Sequence, residues 1–255
     1  MKCMRPANIL LAALAASAAL PAFAACPADP LRANGGAWSA KSVIQASMSV
    51  VGTGMASTAC RLQVGFNTAP SVIAKAFVSD TSPHAEPRYR ARFYLDTTEA
   101  AVLTTPGATL RIFSATGSSY PSGGRSDMVD VTLVGAQPVP FVRFDVADNA
   151  AKGLYNTIAI PLPVGLGANR IEIDLSVGKN NGGGFRYWVN AAGDGSTDAN
   201  PTGVLAITDN TAWGGVSQAN LGAITASTLY LTTTTPTQHL YFDEFNSRRQ
   251  SFIGP

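Results

Sequence analysis

The sequence predicts an all-β protein, an antiparallel two-sheet sandwich of the jelly-roll kind. Three observations predict it. Helical periodicity is nearly absent along the 255 residues. Short β-prone runs recur at close spacing between clusters of Gly, Pro, Asn, Asp and Ser. Finally, Arg170-Ile-Glu-Ile-Asp-Leu-Ser-Val177 alternates apolar and polar without a break, as a strand with one buried face must.

Taken in order, residues 1–24 read as an export signal. Lys2 and Arg5 make a positive start, Ile9 to Leu20 an apolar core and Ala22-Phe-Ala24 a small-residue cleavage site. The apolar core falls short of the ~20 residues that span a bilayer, so no transmembrane segment is predicted. Residues 25–40 form an N-terminal arm with Trp38 as its one large anchor, and residues 41–255 a single β-sandwich domain. That length suits one domain, since single sandwiches run to roughly 200–250 residues.

Losing Lys2 and Arg5 with the signal brings the 18 basic residues level with the 16 acidic ones. Bulk attraction to nucleic acid or to an anionic membrane is therefore not indicated. Cys3 leaves as well, and Cys26 and Cys60 remain in an oxidising compartment, periplasmic or extracellular, where they are expected to pair. The chain-entropy model assigns a bridge of this span ~3–4 kcal/mol. The rival use of Cys26 is a lipid anchor. Against it, Phe23 stands where Leu is usual, and no second lipid or polybasic signal accompanies it.

Val43 to Val51 and Arg61 to Phe66 are the first predicted strands, followed by Val72 to Ser79. Arg88 to Asp96 comes next, with Arg88, Arg90, Arg92 and Tyr94 on one face and Tyr89, Ala91, Phe93 and Leu95 on the core face. Thr109 to Ala115, Met128 to Val134, Phe141 to Val146 and Tyr155 to Ile160 continue the series. After Arg170 to Val177, the Lys179 to Gly184 turn leads into Phe185 to Asn190. There Phe185, Tyr187 and Val189 oppose Arg186, Trp188 and Asn190. Val204 to Thr208, a weaker run at Trp213 to Ser217 and Ser227 to Thr232 follow, the last leading into a β-prone threonine run. Leu240 to Asn246 closes the fold.

Two segments carry a resemblance. Phe185-Arg-Tyr-Trp-Val-Asn190 is similar to the strand that concanavalin A-like, laminin-G-like jelly rolls place before a Gly/Asp loop. Leu240-Tyr-Phe-Asp-Glu-Phe245 resembles the closing strand of many secreted members. Arg88-Tyr-Arg-Ala-Arg-Phe93 and Ser247-Arg-Arg249 also resemble secreted bacterial proteins of this group without an assigned activity. The resemblance spans residues 40–254 at the level of architecture. It implies two curved antiparallel sheets, with polysaccharide or cell-surface glycan bound on the concave face or rim loops.

No complete catalytic set is legible. Glu172 and Asp174 project from one strand face, and the resemblance to jelly-roll β-glucanases covers these two positions of a Glu-x-Asp-x-(x)-Glu pattern. Ser176 and Val177 occupy the place of the third carboxylate, so nothing protonates the leaving oxygen. For a polysaccharide lyase, Arg88, Arg90 and Arg92 offer neutralisers of a substrate carboxylate, but His84 and His239 fall in no recognisable His/Tyr/Gln pattern. There is no Gly-x-Ser-x-Gly elbow and no zinc-ligand spacing. Calcium is the one metal considered: Asp194, Asp198 and Asn200 offer oxygens on a loop, without EF-hand spacing, and also suit ordinary turns. No cofactor is expected.

If the strands at 88–95, 170–177 and 185–190 share a sheet, one outer face carries Arg88, Arg90, Arg92, Glu172, Asp174, Arg186 and Trp188, with Tyr94 and Asn190 beside them. Such a face can stack on sugar rings and bond their hydroxyl or anionic groups. It also suits a charge-compensated sheet exterior. In the closing strand, alternation puts Leu240, Phe242 and Glu244 on one side and Tyr241, Asp243 and Phe245 on the other. Both sides are largely apolar, so Asp243, Glu244, Arg248 and Arg249 are expected to fasten the strand as a clasp. Three functions follow from these readings: a non-catalytic glycan-binding domain, a degenerate or atypical glycan hydrolase or lyase, and a structural or adhesive module. Nothing in the sequence sets an oligomeric state.

Overall fold

The computed structural model describes residues 26–31, 38–55, 58–119, 121, 124–149, 154–249 and 251–254. The expected export signal and its cleavage site lie outside these residues. β1 (Ala40–Ile44) and β2 (Ala46–Gly52) divide what the sequence predicts as one strand, because Gln45 between them takes a left-handed φ of 47°. β3 (Cys60–Phe66), β4 (Lys75–Asp80) and β5 (Arg88–Asp96) follow. β6 (Thr109–Gly117), β7 (Asp127–Val134), β8 (Phe141–Asn149) and β9 (Leu154–Pro161) form an antiparallel meander. β10 (Ala168–Ser176) and β11 (Lys179–Ala191) make the predicted hairpin, its turn held by left-handed Asn180 and Asn181. β12 (Gly203–Asp209), β13 (Val216–Ala226) and β14 (His239–Arg248) complete the strands.

One prediction fails. Ser227 to Thr232 is not a strand; Ser227 caps a short helix, α1 (Thr228–Thr233), by accepting the Tyr230 N–H at 3.2 Å. Tyr230 is buried with its ring 5.8 Å from Phe66, so packing and a good N-cap outweigh the β preference of threonine. The strand lies one run earlier, at Val216 to Ala226, where small Ala, Gly and Asn side chains hide the signal.

Backbone pairing runs β1-β4-β13-β6-β7-β8-β12-β11-β10-β5-β14-β3-β2, with β9 beside β8. The two predicted sheets are thus one 14-stranded sheet in hydrogen-bonding terms, joined where Asp209 of β12 meets Asn149 of β8 in parallel. The sheet doubles over, so that strands distant in the path face each other. Phe93 of β5 stacks on Phe113 of β6 with ring centroids 5.7 Å apart. Phe144 of β8 meets Tyr187 and Phe185 of β11 at 5.0 and 5.6 Å. The alternating Tyr89, Ala91, Phe93, Leu95 and Ile171, Ile173, Leu175 sets all enter this core, as predicted. Cys26 and Cys60 are bridged, tying the N-terminal arm to the start of β3.

Candidate functional site

β5, β10 and β11 are neighbours, so the predicted outer face exists, and strand register organises it into rungs. Arg90, Asp174 and Arg186 lie opposite one another across the three strands. So do Arg92, Glu172 and Trp188, and then Tyr94, Arg170 and Asn190. Cross-strand neighbours this close interact directly. Asp174 accepts from Arg88 Nε at 3.0 Å and Nη2 at 2.9 Å, and from Arg186 Nη2 at 2.6 Å. Arg90 Nη2 adds a contact at 3.0 Å. Burial pushes the Asp174 carboxyl up, but the bonds from Arg88 and Arg186 and the charge of Arg90 outweigh it and hold the group below its ordinary value.

The face is not open, which corrects the expectation of an exposed binding surface. Arg90, Arg92, Arg170, Glu172, Asp174 and Trp188 are all buried, while Arg88, Arg186 and Asn190 remain partly exposed. Two segments cover it. From the loop after β11, Ser196 Oγ meets Arg170 Nη2 at 2.7 Å, the Thr197 carbonyl accepts Trp188 Nε1 at 3.0 Å, and Asp198 Oδ1 pairs with Arg90 at 3.1 Å and Arg186 at 3.0 Å. From beyond β14, Phe252 lies against Trp188 with ring centroids 5.1 Å apart, and Ile253 and Gly254 donate main-chain N–H groups to Glu172. The Gly254 carbonyl accepts from Arg92 Nη1 at 2.5 Å. The Glu172–Asp174 pair is therefore committed, one carboxylate to main-chain donors and the other to guanidinium groups.

Asp198, read as a calcium candidate, faces two arginines whose field opposes a cation. Asp194 and Asn200 close turns through their main-chain N–H groups, to Ala191 and Thr197, as ordinary loop residues do. Among the described residues no cluster of acidic, His or Cys side chains has metal-site geometry. Arg170 was not singled out by the sequence. It is fully buried, and its Nε and Nη1 have no hydrogen-bond partner among the described residues.

The closing strand departs from strict alternation. Its register against β5 slips between Asp243 and Asn246, and Glu244 sits at a left-handed φ of 44°. The bulge resets the phase. Phe245 turns into the core with Leu240 and Phe242, against Trp38 at 4.5 Å, while Glu244 swings outward to Arg92 Nη2 at 2.9 Å. Within the expected clasp, Asp243 is held by main-chain and hydroxyl donors and not by Arg248 or Arg249. It accepts from the Met55 N–H at 2.5 Å, the Glu244 N–H at 2.8 Å and the Thr58 hydroxyl. Burial nonetheless pushes its carboxyl up, those three donors offsetting only part of the shift. Arg248 Nη1 donates to the Phe252 carbonyl at 3.1 Å, and Arg249 Nε pairs with Glu86 at 3.0 Å.

A second group, which the sequence reading missed, gathers at the other end of β14. His239 and Tyr241 share a strand face, and Glu99, in the turn after β5, holds His239 Nδ1 at 2.9 Å while also bonding the Tyr241 side chain. Arg61 of β3 lays its guanidinium 3.5 Å above the Tyr241 ring and pairs with Asp96 at 2.9 Å. Gly65 makes room for the imidazole, since a Cβ there would stand 2.9 Å from His239 Cδ2. Burial first, then the Glu99 bond and charge, push the Tyr241 phenol up to about 12. The Tyr241 bond is the chief cause holding the Glu99 carboxyl below its ordinary value, reinforced by His239. The i, i+2 spacing of His239 and Tyr241 was the available signal; Arg61 and Glu99 join only through folding.

A cavity of about 470 Å³ opens at the Asp243 end of β14, lined by Arg61, Arg92, Asp243 and Glu244 and by the core-facing Trp38 and Phe245. Its volume is that of a small-ligand site, roughly 300–1,000 Å³. Of the His239–Glu99–Tyr241–Arg61 group, Arg61 lines this cavity and the other three residues do not.

The fold resembles that of several polysaccharide lyases of known structure. Over 86% of this chain and 92% of the other, it is similar to the endo-β-1,4-glucuronan lyase of the fungus Trichoderma reesei, with a TM-score of 0.59 and 13% identity. It is also similar to alginate lyase Aly36B, with a TM-score of 0.53 and 9% identity over 81% of this chain and 98% of that one. An alginate lyase from Aplysia kurodai gives a TM-score of 0.51 and 11% identity over 80% and 87% of the two chains. A further structure of Aly36B holds an alginate trisaccharide. No family model matches the chain, and no curated protein matches it. At these identities the likeness defines the fold alone.

Proposed function

We propose that this chain is an exported polysaccharide lyase of atypical site, acting on a uronate-containing polymer by β-elimination at His239, Tyr241 and Arg61. The observation that carries the reading is the His239–Glu99–Tyr241–Arg61 group, which brings a base, an acid and a cation together on one strand face and its neighbours. Elimination needs a neutraliser for the uronate carboxylate, a base for the proton on the adjacent carbon and an acid for the leaving oxygen. Arg61 supplies the charge. Glu99 occupies His239 Nδ1, which leaves Nε2 as the nitrogen to take the proton. As that C–H bond breaks, a C=C bond forms and the glycosidic C–O bond opens. Tyr241, kept protonated by its surroundings, gives its proton to the departing oxygen. The disulfide suits the oxidising compartment of an exported enzyme.

Incubating the purified protein with polyglucuronate and with alginate, and following ultraviolet absorbance of the unsaturated product, tests this. Product is expected from one of them and should vanish in His239→Ala and in Tyr241→Phe. Absence of product from both polymers sinks the reading. The closed arginine face favours a second reading, a structural or adhesive module, because its charges are compensated within the chain. Concentration-dependent self-association of a chain inactive on both polymers would support it.

A further inference from the structure

Residues Phe252 to Gly254 lie on the outer face as a bound peptide would. The Glu172 carboxylate is fully buried, and its hydrogen-bond donors among the described residues are the Ile253 N–H at 2.9 Å and the Gly254 N–H at 3.1 Å. Arg92 Nη1 grips the Gly254 carbonyl and Arg248 Nη1 the Phe252 carbonyl. The side chain that matters is Phe252, whose ring meets Trp188. Main-chain bonds supply the attachment and one aromatic side chain the selectivity, a division of labour common in peptide recognition.

We propose that Glu172, Arg92 and Trp188 form a peptide-recognition groove, that Phe252–Gly254 is its resident ligand in cis, and that the same segment of a second copy can occupy it in trans. A buried carboxylate without donors is costly, and the two successive N–H groups that converge on Glu172, with Gly254 at a left-handed φ of 76°, meet that need as a turned main chain does. The resident segment is short and bonded to the groove by few contacts, and such segments open at a small fraction of the free energy of global unfolding. When it lifts, Glu172 loses both donors and the groove favours another segment of like sequence. This inference does not rest on elimination at His239, since none of the groove residues belongs to that group.

Ile253→Pro in the full chain removes one of the two N–H donors and vacates the groove. A blocked, fluorescent Ser-Phe-Ile-Gly peptide should bind this variant saturably, and the wild type about tenfold or more weakly because the tethered segment competes. Binding should disappear when Glu172→Gln is added, or when the peptide carries Ala in place of Phe. A variant with wild-type circular dichroism and melting that binds no peptide overturns the proposal. Should Ile253→Pro fail to fold, hydrogen exchange on the wild type decides. Measurable protection of the Ile253 and Gly254 amides, well below that of the core strands and lost in Glu172→Gln, supports the groove, and no protection at all in the wild type overturns it.

Discussion

The Glu172 carboxylate accepts the main-chain N–H of Ile253 at 2.9 Å, across 81 positions of sequence. Strand register sets Glu172 opposite Arg92 and Trp188, which looks like an invitation to an external ligand. The chain accepts it from within. A face of arginines, acids and an indole is thereby converted from exposed surface into a second, polar core, and its energetics follow the rules of buried charge.

Asp174 should be the most sensitive carboxylate of that layer. Replacing it by Ala leaves Arg90, 1% exposed, with Asp198 as its remaining acidic partner. Breaking a buried pair on one side typically costs about 3–5 kcal/mol. A urea midpoint that does not move in Asp174→Ala would contradict this.

The same residue sets an acid limb. Because the folded carboxyl lies below its ordinary value, the stability it contributes is complete above the unfolded value. It is lost as pH falls through the depressed folded one. Asp174→Asn should flatten this limb in melting temperature against pH, whereas an unchanged acid slope would show that other carboxylates control it.

Asp243 behaves oppositely. Its carboxyl is pushed up by burial, so its contribution is complete below the unfolded value and declines as pH rises through the folded one. Asp243→Ala strands the Met55 N–H and should cost about 1–3 kcal/mol, visible as lower melting temperature or export yield. A normal melting temperature would remove the clasp role.

Phe93→Ala tests how the doubled sheet is held. Phe93 touches both Phe113, on the opposite half, and Phe242 of the closing strand. Loss of about 3–5 kcal/mol is expected for a large buried aromatic. A smaller loss would mean that the cavity collapses.

Cys26→Ser opens the bridge to Cys60, which closes a span of 34 positions. The chain-entropy model then predicts a loss of about 3–4 kcal/mol, and dithiothreitol should lower the wild-type midpoint equally. No effect of reduction would show that the arm adds nothing to stability.

Much of this was legible in the sequence because alternation is a local code. Arg88 to Asp96 and Arg170 to Ser176 each declare their two faces, and these faces are the ones observed. Where a local rule was broken by one residue, the reading failed with it. Left-handed Glu244 inverts the phase of the closing strand, and a serine cap turns a threonine-rich run into helix. Neither outcome follows from propensity, since each is decided by what the segment packs against.

The sequence by itself determined the strand-rich architecture, the core-facing residues of the central strands and the two arginine- and acid-bearing faces that share one surface. Tertiary structure alone decided that this surface is closed, that Asp198 and Gly254 are partners of its arginines, and that Glu99 and Arg61 stand beside His239 and Tyr241. The physical reason is separation along the chain. A period-two pattern tells which way a side chain points, but what covers it is set by segments many residues away, whose approach only the folded sheet arranges.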